Sequence, residues 1–175
     1  MTSEYLNGER LEPDDRWRLA VILHDFGMLD ARELPGEAAR LIAAGLDAPA
    51  VVGLAILYAS TPFDEIRDAL SAACHATNTR IVDRAAAVRA VFRVELRAWL
   101  VREPVARPLL PWAADGGADQ EIAVFWELDD IFDVLEFVSD ARDLRPEARR
   151  RVAHYLDVES PRSVSELVRI ATGML

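Results

Sequence analysis

The residues with the clearest potential for chemistry are three aspartates in the pattern D-D-x-x-D, at Asp129, Asp130 and Asp133. On a helix, side chains three and four positions apart lie on the same face, so these carboxylates project within about one turn of each other. Carboxylate oxygens placed in this way can hold magnesium ions that bind a diphosphate. The pattern raises the hypothesis of a magnesium-dependent enzyme that acts on a diphosphate or prenyl substrate, with Mg as its cofactor.

The run before these aspartates strengthens that hypothesis. It reads Phe125-Trp126-Glu127-Leu128 and resembles the aromatic-rich segment before the aspartate-rich motif of class I terpene synthases. Those enzymes use a larger helical barrel and a second metal motif of Asn, Ser and Glu far downstream. No such motif follows Asp133 in this sequence, so we keep the enzyme as the alternative interpretation.

The same segment also fits an acidic helix surface that faces solvent. Apolar residues recur at helical spacing over 128–138, and turning them inward places the three aspartates and Glu136 outward. Trp126 and Phe137 fall on that outward side. If a further helix covers these aromatics, they belong to the core. If they are exposed, they are typical of an interface for a basic partner, because aromatic anchors within a polar rim supply most interface energy.

Our leading interpretation is therefore a non-enzymatic protein–protein interaction module, immunity-like or regulatory, that presents this acidic helix face to a basic protein partner. It assigns no catalytic residue, no metal and no cofactor. A third interpretation is a homodimer whose interface covers the aromatics. The predicted partner-binding residues are Trp126, Asp129, Asp130, Asp133, Glu136 and Phe137.

Two other pairs of residues have types that could bind a metal or act in catalysis, but each lacks something that the chemistry requires. His24-Asp25 resembles the paired metal ligands of HD phosphohydrolases, which also need a histidine upstream, and none precedes His24. Cys74 and His75 are neighbours, and adjacent helical side chains point about 100° apart, so we do not expect a catalytic Cys–His dyad. Both pairs are more typical of ordinary helix positions.

The amino-acid composition limits which kinds of partner the protein can bind and in which compartment we expect it. The chain has 175 residues and a net charge of −10, and it contains arginine but no lysine. An acidic surface disfavours nucleic acid and anionic lipid. No apolar run approaches the ~18 residues that cross a bilayer, and the acidic segment 1–15 lacks the features of a secretory signal. Because the single cysteine cannot form an internal disulfide, we expect a cytoplasmic protein that binds neither nucleic acid nor membrane.

Helix-start and helix-end residues recur along the whole chain and predict an all-α fold, a helical bundle of about 7–8 helices. Gly27 and Gly45 are placed to end the first two helices, while Pro49 and Pro62 are placed to begin the next two. The segment 79–103 contains no glycine or proline and carries apolar residues every three or four positions. It predicts one long central helix.

Side-chain caps are expected at three helix starts. Asp47 precedes Pro49, Thr61 precedes Pro62, and Ser163 with Glu166 forms a capping box for a last helix over 164–174.

The organisation along the chain predicts a single helical domain over 1–175. A Pro- and Gly-containing loop over 104–117 is expected to join two lobes, at about 1–103 and 118–175.

Two stretches also carry a family resemblance. Their residues are Ala20-Val21-Ile22-Leu23, Gly27-Met28-Leu29, Glu33-Leu34-Pro35, Ala38-Ala39, Leu41, Gly45-Leu46-Asp47-Ala48-Pro49 and Leu54-Ala55, then Phe137-Val138-Ser139-Asp140-Ala141-Arg142-Asp143-Leu144-Arg145-Pro146-Glu147. Together they resemble a family of small, uncharacterised all-helical proteins common in actinobacteria, over roughly a third of the chain. The resemblance implies a helical protein of the kind often encoded beside toxins or other conflict genes. It implies no catalytic residues.

Overall fold

The computed structural model describes residues 10–101, 145–159 and 162–175. Within these ranges the protein is all-α, with seven α-helices and no strand, which confirms the predicted class. The helices are α1 Pro13–Asp25, α2 Leu34–Ala43, α3 Pro49–Ala55, α4 Phe63–Ala76, α5 Arg84–Val101, α6 Arg145–His154 and α7 Val164–Ala171. A 3₁₀ turn, Ala31–Glu33, precedes α2, and a π-helical turn, Tyr155–Glu159, follows α6. None of the helices in these ranges is long and apolar enough to span a membrane.

Prolines and glycines explain the limits of the first three helices. Pro13, Pro35 and Pro49 lie in the first turns of α1, α2 and α3, where a missing N–H removes no intrahelical hydrogen bond. Gly27 and Gly45 follow α1 and α2 with φ angles of +72° and +94°, a left-handed conformation that favours glycine. Both glycines therefore end the helices that they were predicted to end.

Two predicted side-chain caps are wrong. Ala48 and Pro62 occupy the N-cap positions of α3 and α4, and neither helix has a side-chain cap hydrogen bond. A residue before proline is held in an extended conformation, so α3 begins directly at its proline and Asp47 lies one position too early. Thr61 instead accepts a hydrogen bond on Oγ1 from the backbone N–H of Tyr58, at 3.1 Å.

The longest described helix, α5, starts later than position 79. Asp83 Oδ1 accepts a hydrogen bond from the N–H of Ala86 at 2.9 Å, which is the arrangement of an N-cap. The N–H groups of Val82 and Asp83 both donate to the carbonyl oxygen of Ala171, at 2.8 and 3.2 Å. Because these two amides bond to the end of α7, the residues before Arg84 are not free to continue the helix.

The chain divides into two units, Met1–Val91 with Val164–Leu175, and Phe92–Ser163. In the first unit α1 packs against α2 and α7, while α2, α3 and α4 pack in succession. The single domain over 1–175 and its two lobes stay a prediction, since the joining loop over 104–117 lies outside the described residues.

The apolar core of the first unit centres on α1. Trp17 is fully buried there, and apolar side chains from each of the other helices in this unit lie at or near zero exposure. These fully buried residues include Leu19, Ile22, Leu23, Leu34, Leu41, Leu54, Ile66 and Val168.

Charged side chains also fix the position of α1. Arg16 forms a two-pronged ion pair with Glu37 on α2, with Nε–Oε2 at 2.7 Å and Nη2–Oε1 at 3.0 Å. Arg169 on α7 pairs in the same way with the buried Asp15, at 2.9 and 2.8 Å. The hydrogen bonds that Arg169 donates to Asp15, together with the negative charge of that carboxylate, raise the pKa of Arg169 above its ordinary value. One turn of α1 thus makes ion pairs with two other helices.

In the second unit α5 contacts the π-helical turn. The rings of Phe92 and Tyr155 meet edge to face, with centroids 5.5 Å apart. Arg93 Nη1 donates to the carbonyl oxygen of Leu156 at 2.8 Å. Ala148 and Val152 on α6 are fully buried.

Candidate functional site

The six residues predicted to bind a partner all lie outside the described residues. They are Trp126, Asp129, Asp130, Asp133, Glu136 and Phe137. Both hypotheses that depend on them, the acidic partner surface and the alternative magnesium site, therefore stay predictions.

His24 and Asp25 have partners within the first unit. His24 Nδ1 lies 3.0 Å from the carbonyl oxygen of Leu29, and since a carbonyl only accepts, Nδ1 carries the proton and donates. Asp25 Oδ2 lies 3.3 Å from Arg84 Nη1. Among the described residues no three His, Cys, Asp or Glu side chains form a group that could hold a metal ion. The part of the chain that we can describe thus contains no HD-type ligand set.

Cys74 is half-buried on α4, and its neighbour His75 is exposed. Burial raises the pKa of the Cys74 thiol to about 11. Because the thiolate is the reactive form, this thiol is a poor nucleophile near neutral pH. Its environment is that of a half-buried structural thiol.

A group of exposed apolar side chains lies on the connection between α3 and α4 and on the first residue of α4, a segment that we call the apolar turn (56–63). Ile56, Tyr58 and Phe63 are 64%, 78% and 58% exposed. The nearest large apolar side chains on either side of this segment, Leu54 and Ile66, are fully buried. The chain therefore changes from core to exposed apolar surface within two or three residues at each end of the turn.

Hydrogen bonds fix the backbone that carries these side chains. The N–H of Tyr58 donates to Thr61 Oγ1, and the N–H of Thr61 donates back to the carbonyl oxygen of Tyr58 at 2.9 Å. The N–H of Leu57 donates to Leu54 O at 3.2 Å, and that of Ile66 to Pro62 O at 3.2 Å. A partner that docks on the apolar turn would therefore order little additional backbone.

Negative charge borders the apolar turn. Asp64 and Glu65 lie in the first turn of α4, and both are exposed. Within the described part of the chain neither carboxylate has an ion-pair partner, whereas Arg67 pairs with Asp68 at 3.3 Å. Acids at this position interact favourably with the helix dipole. They also give the apolar turn an acidic border.

This surface was not predicted from the sequence, because Thr61 and Pro62 have the pattern of a helix start and Pro49 begins an apolar run that leads up to them. The observed α3 ends at Ala55. The available signal was the run Ile56-Leu57-Tyr58, which continues the apolar sequence up to a Ser-Thr-Pro break. Such a run at a helix connection fits either a buried or an exposed turn.

No protein-family model matches the chain, and searches of curated proteins and of solved structures also give no match. The resemblance to an actinobacterial family stays a prediction.

Proposed function

We propose that this chain is a non-enzymatic protein–protein interaction module and that the apolar turn is one of its contact surfaces. The observation that carries the proposal is the exposure of Ile56, Tyr58 and Phe63 on a hydrogen-bonded turn. Aromatic side chains bury 150–250 Å² each, worth roughly 4–6 kcal/mol at about 25 cal/mol per Å² before the costs of association. Exposed apolar side chains grouped in this way are typical of anchors for a partner.

The charge around the apolar turn supports a partner with a basic surface. The protein carries a net charge of −10, and the exposed Asp64 and Glu65 lie beside the anchors. Complementary charge accelerates encounter and excludes acidic competitors. An immunity-like or regulatory role fits a module of this kind.

The predicted acidic helix face belongs to the same proposal as a second contact surface. It comprises Asp129, Asp130, Asp133 and Glu136, with Trp126 and Phe137 as its anchors. Both surfaces would then present aromatic side chains bordered by acids. The same kind of basic partner could therefore bind to either surface.

The proposal includes a bundle in which α5 is the central helix. Support comes from the segment 90–96 of α5, in which every residue is buried, since a helix buried on all faces lies inside a fold. A cytoplasmic location is also part of the proposal and is supported by cysteine usage, with Cys74 as the single cysteine.

Photo-crosslinking tests the proposed surface. A photoreactive phenylalanine analogue replaces Tyr58 in one variant and Ser71, an exposed residue of α4, in a matched control. Both are expressed in cells that naturally encode the chain. We expect one discrete adduct from position 58, none from position 71, and loss of the adduct when Phe63→Ser is added. An adduct of two copies of this chain would replace the separate partner by a homodimer, and equal labelling from both positions would refute the surface.

A further inference from the structure

The first unit contains one example of how this chain binds a guanidinium group. Arg84 Cζ lies 4.6 Å from the centroid of the Phe26 ring, and its Nη1 lies 3.3 Å from Asp25 Oδ2. An aromatic face and the carboxylate of the preceding residue therefore hold the same arginine. The two interactions are a cation–π contact and an ion pair, and both side chains of that ion pair are about half exposed.

Phe63 and Asp64 present the same two groups at adjacent positions on the apolar turn and the start of α4. Both side chains are exposed. Among the described residues no arginine stacks on Phe63 and none pairs with Asp64. The closest arginine along α4, Arg67, pairs with Asp68 instead. Within the described ranges, the site thus offers a ring and a carboxylate without an arginine of the kind that Phe26 and Asp25 receive from Arg84.

We infer that the apolar turn binds an arginine side chain of the partner, which stacks on Phe63 and pairs with Asp64. Apolar residues of the same partner segment cover Ile56 and Tyr58. This inference rests on the proposed function and specifies its partner as an amphipathic segment with arginine beside an apolar face.

Arginine is favoured over lysine at this site for a physical reason. Its planar guanidinium stacks on an aromatic face and is less strongly hydrated than an ammonium group. A second copy of the same turn is disfavoured as occupant, because a symmetric contact would bring Asp64 and Glu65 against their own equivalents.

The test uses the full chain, labelled with ¹⁵N, and three synthetic amphipathic helical peptides with identical leucine faces. Their polar faces carry arginine, lysine or citrulline, so the first two share a charge and the third is a neutral analogue of arginine. We expect shifts of backbone amide signals over 56–68. We also expect the arginine peptide to bind about threefold to tenfold more tightly than the citrulline peptide, and measurably more tightly than the lysine peptide.

Two substitutions separate the ring from the charge. Phe63→Leu keeps an apolar side chain but removes the ring, and should abolish the preference for arginine over lysine. Asp64→Asn keeps the shape but removes the charge, and should reduce the preference for arginine over citrulline. Asp157→Asn is the matched control, since Asp157 is exposed beside Val158, an apolar residue that is 61% exposed and has no ring.

The outcomes distinguish this inference from the proposed function. An arginine preference that Phe63→Leu and Asp64→Asn leave unchanged would overturn the inference. Equal binding of all three peptides with shifts over 56–63 would also overturn it, but would leave the apolar turn as an interaction surface. If no peptide shifts the amides of the turn, both the inference and the assignment of this surface fail.

Discussion

The indole N–H of Trp17 on α1 donates to Thr77 Oγ1 at the end of α4, at 3.0 Å, and to Thr79 Oγ1 at 3.2 Å. Trp17 is fully buried, and the indole N–H is the only polar group of its side chain, so these hydroxyls remove the cost of burying that group. Asn78, between the two threonines, has a φ angle of +49°. This left-handed residue lets both hydroxyls reach the same indole.

Thr77→Val should destabilise the protein by about 1–2 kcal/mol. The substitution removes one acceptor from a buried donor, and the cost stays moderate because Thr79 Oγ1 remains. Urea unfolding measures it, with Ser71→Ala on the exposed side of α4 as a control that should stay within about 0.5 kcal/mol of the wild type. In a Trp17→Phe background Thr77→Val should cost less, because the donor is gone. If Thr77→Val lowers the free energy of unfolding equally in both backgrounds, the hydrogen bond between Trp17 and Thr77 contributes nothing to stability.

Arg16→Met should destabilise the protein by about 2 kcal/mol. Among the described residues it leaves the buried Glu37 with the longer contact to Arg40, at 3.5 Å, as its remaining ion pair. A poorly compensated buried charge is costly. The double variant Arg16→Met, Glu37→Met should recover most of that loss in urea unfolding. Arg67→Met is the control, since the Arg67–Asp68 pair is exposed and should contribute less than about 0.5 kcal/mol. A double variant less stable than the single one would contradict this prediction.

The stability of the protein should fall between pH 9 and pH 11 through Cys74. Burial raises the pKa of the folded-state thiol from its ordinary value of 9.0 to about 11. Below pH 9 the thiol is protonated in both states. Between these values only the unfolded state loses its proton, which favours unfolding by up to about 2 kcal/mol. The measurement is the difference in free energy of unfolding between the wild type and Cys74→Ala across this range. A constant difference would show that the thiol is not buried as described.

Magnesium with pyrophosphate should leave the melting temperature unchanged if the chain is an interaction module. A ligand at 100 times its dissociation constant would stabilise the folded state by about 2.7 kcal/mol, a rise of several degrees for a domain of this size. A rise of that size that disappears in Asp130→Asn would instead favour the alternative, an enzyme that uses Asp129, Asp130 and Asp133. Calorimetry of both proteins with and without the two ligands decides between them.

The all-α class could be predicted because helix limits depend on local chemistry. The first-turn Pro49 and the left-handed Gly45 act through their own backbone restrictions, whatever lies around them. The start of α5 could not be predicted in the same way. It depends on Ala171, whose carbonyl oxygen accepts hydrogen bonds from the N–H groups of Val82 and Asp83. A local sequence pattern does not indicate a contact between residues so far apart in the chain.

The apolar turn was not predicted because periodicity does not distinguish a covered connection from an exposed one. Tyr58 and Phe63 are residue types that are common in protein cores. Whether they face outward depends on the positions of α3 and α4, which the local sequence does not specify. The negative border was visible as Asp64 and Glu65, but these acids also stabilise the start of a helix.

The pairing of Asp15 with Arg169 has a consequence for how the protein is made. The two residues are separated by 154 positions, and the ribosome adds about 5–20 residues per second. The carboxylate of Asp15 therefore remains without Arg169 for roughly 8 to 30 s during synthesis, while the whole of Phe92–Ser163 is produced. During that interval the face of α1 that α7 will cover remains open to chaperones and to other nascent chains. A message that ends before position 164 would leave the first unit in that state permanently, without Val168 to cover it.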